Sequence, residues 1–340
     1  MQDVGDDATL GDRISAHASR GRFVASALAS AAAVAVPRYR ASAAPVPIRL
    51  GCTTISEEQV WLMKSRPDLT PGQGKTYDLQ VTQFQSGSTR FKAYESGQLD
   101  GGVSSATGAL QAASKGVPLQ VVAVAAIESG HGFSSSFIAL ANSKYSKKQL
   151  SGATIALNGF RESFELAARI AALDAGINPE RDVKFEAMPF SAMGDALRQG
   201  RVDIVGIVQP FYAAEAARGG IKTIFTTASA LGEEEELNLY FNPDFLARER
   251  PAVRAFLSDF VRATHYYTDH TREAREAILQ HKWVQMAPTV YLPMVALARR
   301  PDCKPSLYSW RKLQTQLLRA GFIEKPVDLQ KVLTSSYLPA

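Results

Sequence analysis

The sequence predicts an α/β protein built of two similar lobes, and three observations carry that expectation. From about residue 45 to Phe241, short apolar runs alternate with amphipathic stretches, the pattern of βαβ units and mainly parallel sheets. A junction motif occurs twice: Ala93-Tyr94-Glu95-Ser96-Gly97-Gln98-Leu99-Asp100 is answered about a hundred residues later by Ala196-Leu197-Arg198-Gln199-Gly200-Arg201-Val202-Asp203. Each reads as a helix end, a Gly suited to the left-handed cap, then an apolar residue and Asp leading into a strand. The 340 residues are also enough for two separate cores.

The strand candidates are Ile48–Thr53, Leu79–Phe84, Gly101–Ser104, Leu119–Ile127, Phe137–Ala141, Thr154–Leu157, Val183–Ala187, Ile204–Val208, Thr223–Thr226 and Leu237–Phe241. Leu119–Ile127 is nearly continuous in apolar residues, as expected of a strand covered on both faces. After Asn242 the spacing turns helical, with segments at Asp244–Leu246, Pro251–Asp269, Thr271–His281, Thr289–Leu297, Tyr308–Ala320 and Leu329–Leu333. Phe256, Phe260, Ala263 and Tyr267 form a stripe expected to pack into the core. Gly321 stops the Tyr308–Ala320 helix. The acidic run Glu233–Glu236 reads as a solvated surface turn.

The first residues read as an address. Arg20 and Arg22 precede a 14-residue uncharged apolar run, Phe23–Val36, ended by Pro37, and Ala41-Ser42-Ala43 offers small residues for cleavage. The run is short for a membrane span. Ser19-Arg20-Gly21-Arg22-Phe23-Val24 resembles a twin-arginine signal with the pair split by Gly21, which leaves the Tat and Sec routes both open. The expectation is an export signal over residues 1–43, cleaved near Ala43, and a soluble mature protein in the periplasm.

Composition narrows the function classes. The net charge is +5, charged residues make up 21%, and no basic stripe with interleaved aromatics suggests nucleic acid. Cys52 and Cys303 show no CxxC spacing. His131, His265, His270 and His281 fall in no metal-ligand pattern, and no Walker A segment is present, so neither a metal nor another cofactor is expected.

The order of motifs resembles the SsuA/TauA/NMT1-like periplasmic binding proteins of ABC importers. The carriers are Phe84-Gln85-Ser86-Gly87, Ser96-Gly97-Gln98-Leu99-Asp100, Lys115-Gly116-Val117-Pro118-Leu119, Leu150-Ser151-Gly152-Ala153-Thr154-Ile155-Ala156, Gly200-Arg201-Val202-Asp203 and Asn242-Pro243-Asp244-Phe245-Leu246. The resemblance implies the type II periplasmic-binding-protein fold, two mainly parallel sheets flanked by helices with two hinge crossings. Lobe one would comprise residues 45–140 plus 235–340 and lobe two residues 141–234, with crossings near Ala139–Asn142 and Ser229–Leu239. It further implies a small-molecule ligand, an ABC permease and ATPase as partners, and a monomer that works by cleft closure.

In such sheets, ligands lie beyond the carboxyl ends of the strands. The residues expected there are Thr53, Thr54, Ser86, Gly87, Ser104, Ser105, Asn158, Gly159, Phe160, Arg161, Ser163, Phe190, Gln209 and Phe211. Each Ser or Thr would serve equally as an ordinary N-cap. Arg161 could grip a carboxylate or sulfonate bidentately, or reach Glu165 one turn on. Phe160, Phe190 and Phe211 could wall the site or pack in the core. A small organic anion of the sulfonate, nitrate or aromatic carboxylate type is the first ligand expectation, and a neutral pyrimidine-like heterocycle its rival. No catalytic residue is expected. The competing class is a fold-related enzyme using Cys52, whose thiol would need a neighbouring cation to lower its pKa.

Overall fold

Ten apolar, β-rich runs become strands, and they sort into two five-stranded sheets. The computed structural model describes residues 44–53, 57–84 and 86–340. The expected export signal and Thr54 therefore lie outside the described residues. The strands are β1 Val46–Cys52, β2 Tyr77–Gln83, β3 Gly101–Ser104, β4 Gln120–Glu128, β5 Ser136–Leu140, β6 Thr154–Leu157, β7 Lys184–Ala187, β8 Ile204–Ile207, β9 Ile221–Thr226 and β10 Glu234–Phe241. The helices are α1 Glu58–Ser65, α2 Gly87–Glu95, α3 Ala106–Ser114, α4 Ser163–Asp174, α5 Phe190–Arg198, α6 Phe211–Arg218, α7 Thr227–Leu231, α8 Pro243–Arg248, α9 Arg250–Asp269, α10 Thr271–Gln280, α11 Pro288–Tyr291, α12 Leu307–Arg319 and α13 Leu329–Val332. Among the described residues, no helix is long and apolar enough to cross a membrane.

The sheet orders are β2-β1-β3-β10-β4 and β7-β6-β8-β5-β9. In each, four strands run one way and the fourth in order is reversed, β10 in the first sheet and β5 in the second. The reversed strand is the one that enters from the other sheet. The chain crosses over at residues 129–135 and again at residues 227–233.

The repeated junction motif does the same work in both sheets. Gly97 (φ 76°) and Gly200 (φ 68°) adopt the left-handed conformation that lets the chain turn back after its helix. Asp100 then accepts the Arg49 N–H at 2.8 Å and returns its own N–H to the Arg49 carbonyl at 2.9 Å. Asp203 repeats both bonds with Thr154, again at 2.8 and 2.9 Å. The Asp is therefore a strand-start clamp, taking up an N–H of β1 or β6 just before β3 or β8 begins to pair with it.

Burial follows the apolar pattern. β4 is buried from Val121 to Glu128, and Phe256, Phe260, Ala263 and Tyr267 of α9 all face the core. Three expectations are corrected. Ser136–Leu140 does not close the first lobe; it pairs antiparallel with β8 and β9 in the second sheet, because the Gly- and Ser-rich stretch before it is the segment that crosses. The first crossing thus precedes the expected Ala139–Asn142. The Thr289–Leu297 helix ends at Tyr291 with Leu292 as its cap, since Pro293 has no N–H with which to extend the hydrogen-bond ladder. The acidic run is not a solvated turn. Glu234 and Glu235 are 3% and 1% exposed and begin β10. Glu235 is held there by Trp310 Nε1 (2.7 Å), the Ser306 N–H (2.9 Å) and Arg300, partners from the far end of the chain.

Candidate functional site between the two sheets

The carboxyl ends of β1 and β3 in one sheet and of β6 and β8 in the other open onto a shared cavity of about 180 Å³. That is a little larger than the ~150 Å³ cavity that admits benzene, so it suits a single ring or a short chain. From the first sheet's side come Thr53, Ser86, Gly87, Arg90, Val103, Ser104 and Ser105, with Glu236 and Leu237 of β10 and Leu297. From the other side come Asn158, Glu162, Ser163, Phe164, Pro189, Phe190, Ser191, Val208 and Phe211.

Of the residues expected from sequence, Thr53, Ser86, Gly87, Ser104, Ser105, Asn158, Ser163, Phe190 and Phe211 are brought together here. Ser86 and Ser105 also cap helices: their hydroxyl oxygens accept the N–H of Thr89 (3.3 Å) and of Gly108 (3.1 Å). Capping and cavity lining coincide because a helix start is both an anion-friendly end and a cap position. A Cβ at Gly87 would lie 2.8 Å from Glu162 Oε1, so a side chain there would push the Glu162 carboxylate aside. Phe164, Phe190 and Phe211 form an aromatic wall, with centroids 5.5 Å apart edge-on and 6.0 Å apart stacked.

Four expected residues are placed elsewhere. Phe160 is 56% exposed, and Gly159 beside it does not reach the cavity. Gln209 is turned toward the Val295 carbonyl (3.2 Å) and the Ala213 N–H (3.1 Å). Arg161 stands in the left-handed region (φ 65°), and its guanidinium reaches α3 and the turn after α12. There it donates to the carbonyls of Gly321 (3.0 Å) and Phe322, lies over the Phe322 ring at 4.5 Å, and meets Gln111 Oε1 at 3.2 Å. Only its backbone N–H goes to Glu165. Arg161 fastens the rim; it does not face the cavity.

The charged groups that do face it were missed. Arg90 sits in the first turn of α2, right after the Ser86-Gly87 junction, and Glu162 directly follows Arg161 in the chain. Glu236 was hidden in the acidic run. Burial raises the Glu162 carboxyl pKa, opposed by Arg90 and the Gly87 N–H. Burial, then Glu234 and Glu128, raise that of Glu236.

Beneath Thr53, the fully buried Glu57 accepts the Thr53 N–H (2.9 Å) and hydroxyl (2.7 Å), yet burial pushes its carboxyl up to about 7 from 4.5. The folded chain therefore holds a proton that the unfolded chain releases above 4.5, and stability falls as pH rises from 4.5 to about 7. Glu57→Gln should remove this slope, gaining roughly 2–3 kcal/mol on the wild type between about pH 4.5 and pH 8 in urea unfolding. Parallel profiles would refute it. Cys52, also fully buried, has its thiol pushed up by burial and by Glu57, away from the thiolate a nucleophile requires.

Solved structures share this architecture. The ligand-binding component of an ABC-type import system from Staphylococcus aureus, solved with zinc bound, superposes with a TM-score of 0.71 at 15% identity, covering 86% of this chain and 97% of that one. The periplasmic aliphatic sulphonate binding protein SsuA from Escherichia coli gives 0.68 at 17% identity, covering 84% and 91%. The periplasmic nitrate-binding protein NrtA from Synechocystis PCC 6803 gives 0.70 at 13%, covering 86% and 87%. No curated protein matches the chain by sequence. Residues 41–281, which hold both sheets and every cavity-lining residue but Leu297, match one family, and the chain belongs to it: the NMT1-like family.

Proposed function

We propose that the protein is the solute-binding component of an ABC importer, holding a small molecule between its lobes and delivering it to a membrane permease served by an ATPase. One observation carries the reading: a cavity of ligand size lies at the carboxyl ends of strands from both sheets, with polar groups contributed by each and an aromatic wall by the second. A guest touching both walls favours the closed arrangement by whatever affinity it has for both together. The two moving bodies would be residues 44–128 with 234–340, and residues 136–226. Residues 1–43 would direct export to the periplasm and be removed. The mature chain would act as a monomer and without turnover, in keeping with the un-ionised Cys52.

The test is native mass spectrometry of the protein released gently from the periplasm of its own cell. A single small molecule should accompany the folded chain, leave on denaturation, and raise Tm when added back. A chain that carries no guest, and that no sulfonate, nitrate, amine or nucleobase stabilises, would refute the reading.

A further inference from the structure

The cavity is more acidic than one built for an anion. Glu162 and Glu236 line it. Behind Glu236, Glu234 and Glu128 are cross-strand partners on β10 and β4, 3% and 0% exposed. Both Glu234 oxygens and Glu128 Oε1 make no hydrogen bond; Glu128 Oε2 accepts the Ser135 N–H at 2.8 Å. Glu57 lies below Thr53. The positive groups facing this set are Arg90, beside Glu162, Glu57, Cys52 and Tyr240, and Lys312, beside Glu234. Assigning each cation fully to one of the five carboxylates still leaves three uncompensated. Buried like charges persist only if protons or a positive guest neutralise them. Among the described residues, no group of His, Cys, Asp and Glu is arranged to hold a metal ion.

We infer that the cavity selects a small organic cation (an amine, an amidine or a protonated nitrogen base) whose charged nitrogen lies against Glu236 and Glu162, with the Phe190 and Phe211 rings beside it. This rests on the solute-binding reading and reverses the charge expected of the ligand from sequence. The ring faces suit a cation as well as they suit a flat group. Burial pushes the carboxyls of Glu128, Glu162, Glu234 and Glu236 above the usual carboxylate range. A cation lying against Glu236 and Glu162 opposes that shift and favours their ionised forms. Binding should release protons and tighten as pH rises, by about tenfold per pH unit for each proton displaced.

The experiment is titration calorimetry of the protein with benzamidine and butylamine against benzoate, benzenesulfonate and nitrate. It is run at two pH values and in buffers of different ionisation enthalpy, beside charge assignment of any guest found by native mass spectrometry. A cation should bind with proton release, and Glu236→Gln should weaken it at least tenfold, about 1.4 kcal/mol. The same variant should unfold at the same or a higher urea concentration, which separates lost binding from lost fold. Anions binding where cations do not, a co-purified guest with no basic nitrogen, or cation affinity indifferent to pH and to Glu236→Gln would each overturn the inference while leaving solute binding intact. Absence of any guest and any binding would remove the solute-binding reading itself, and this inference with it.

Discussion

Replacing Glu58 with Ala should cost about 3–5 kcal/mol of stability, the loss expected when one member of a buried ion pair is removed. Glu58 opens α1, and its Oε2 meets Arg299 Nη2 at 2.8 Å, with side chains only 7% and 4% exposed. The Arg299 guanidinium lies 4.1 Å from the centre of the Tyr267 ring, and the Tyr267 hydroxyl is 3.3 Å from Glu58 Oε1 and 3.0 Å from Arg275 Nε. The pair thus ties α1 to α9, α10 and the segment after α11. Without the carboxylate, a guanidinium whose Nε already has no partner is stranded in a dry interior. Much of the penalty is that stranded charge, so adding Arg299→Met should recover a good part of it. Urea unfolding of the two single variants and the double variant checks this. A single-variant loss below about 1 kcal/mol would show that the site is wetter than its burial implies.

Gly101→Val is expected to cost about 3–4 kcal/mol, at or beyond the upper end of ordinary overpacking. A Cβ at Gly101 would lie 2.2 Å from the Tyr240 carbonyl oxygen and 2.7 Å from the Phe241 ring. The first obstacle is backbone, which cannot swing aside, and it belongs to β10 at the register where Phe241 faces Gly101. Gly97→Ala is the control. It meets no atom within 4 Å and pays only for its left-handed φ of 76°. That cost is about 1–2 kcal/mol. Equal losses at the two positions, read by urea midpoint, would mean that β3 and β10 can separate at little cost.

Most of the strands were legible as short, largely apolar runs between turn-forming residues, β4 (Gln120–Glu128) above all. Gly101–Ser104 and Thr154–Leu157 emerge with the expected bounds, and the rest differ by a few residues at their ends. Membership was harder to read. Phe137 looks alike in either sheet, and only the polar stretch ahead of it decides which side of the crossing it falls on. The acidic run failed for the opposite reason. Glu235 can be buried only because Trp310, Arg300 and Ser306 reach it from across the fold, and no local pattern announces partners that distant.

The site divides along the same line. Ser86, Ser104 and Ser105 could be placed because strand-end geometry is local. Arg161 could not, since its carbonyl partners at Gly321 and Phe322 are 160 and 161 positions away. A long charged side chain goes where the tertiary structure provides a counterpart. Neighbouring Arg161 and Glu162 consequently part company, one to the rim and one to the interior.

The placement of β10 also sets an order of birth. All five strands of the second sheet fall within residues 136–226, so that sheet can be completed as soon as this stretch has been synthesised. The first sheet cannot. Its reversed strand, seated between β3 and β4, is made only after the whole of its sister has emerged. Until residues 234–241 arrive, β3 and β4 offer bare edges to any passing strand. The half of the molecule that is translated first is therefore finished last.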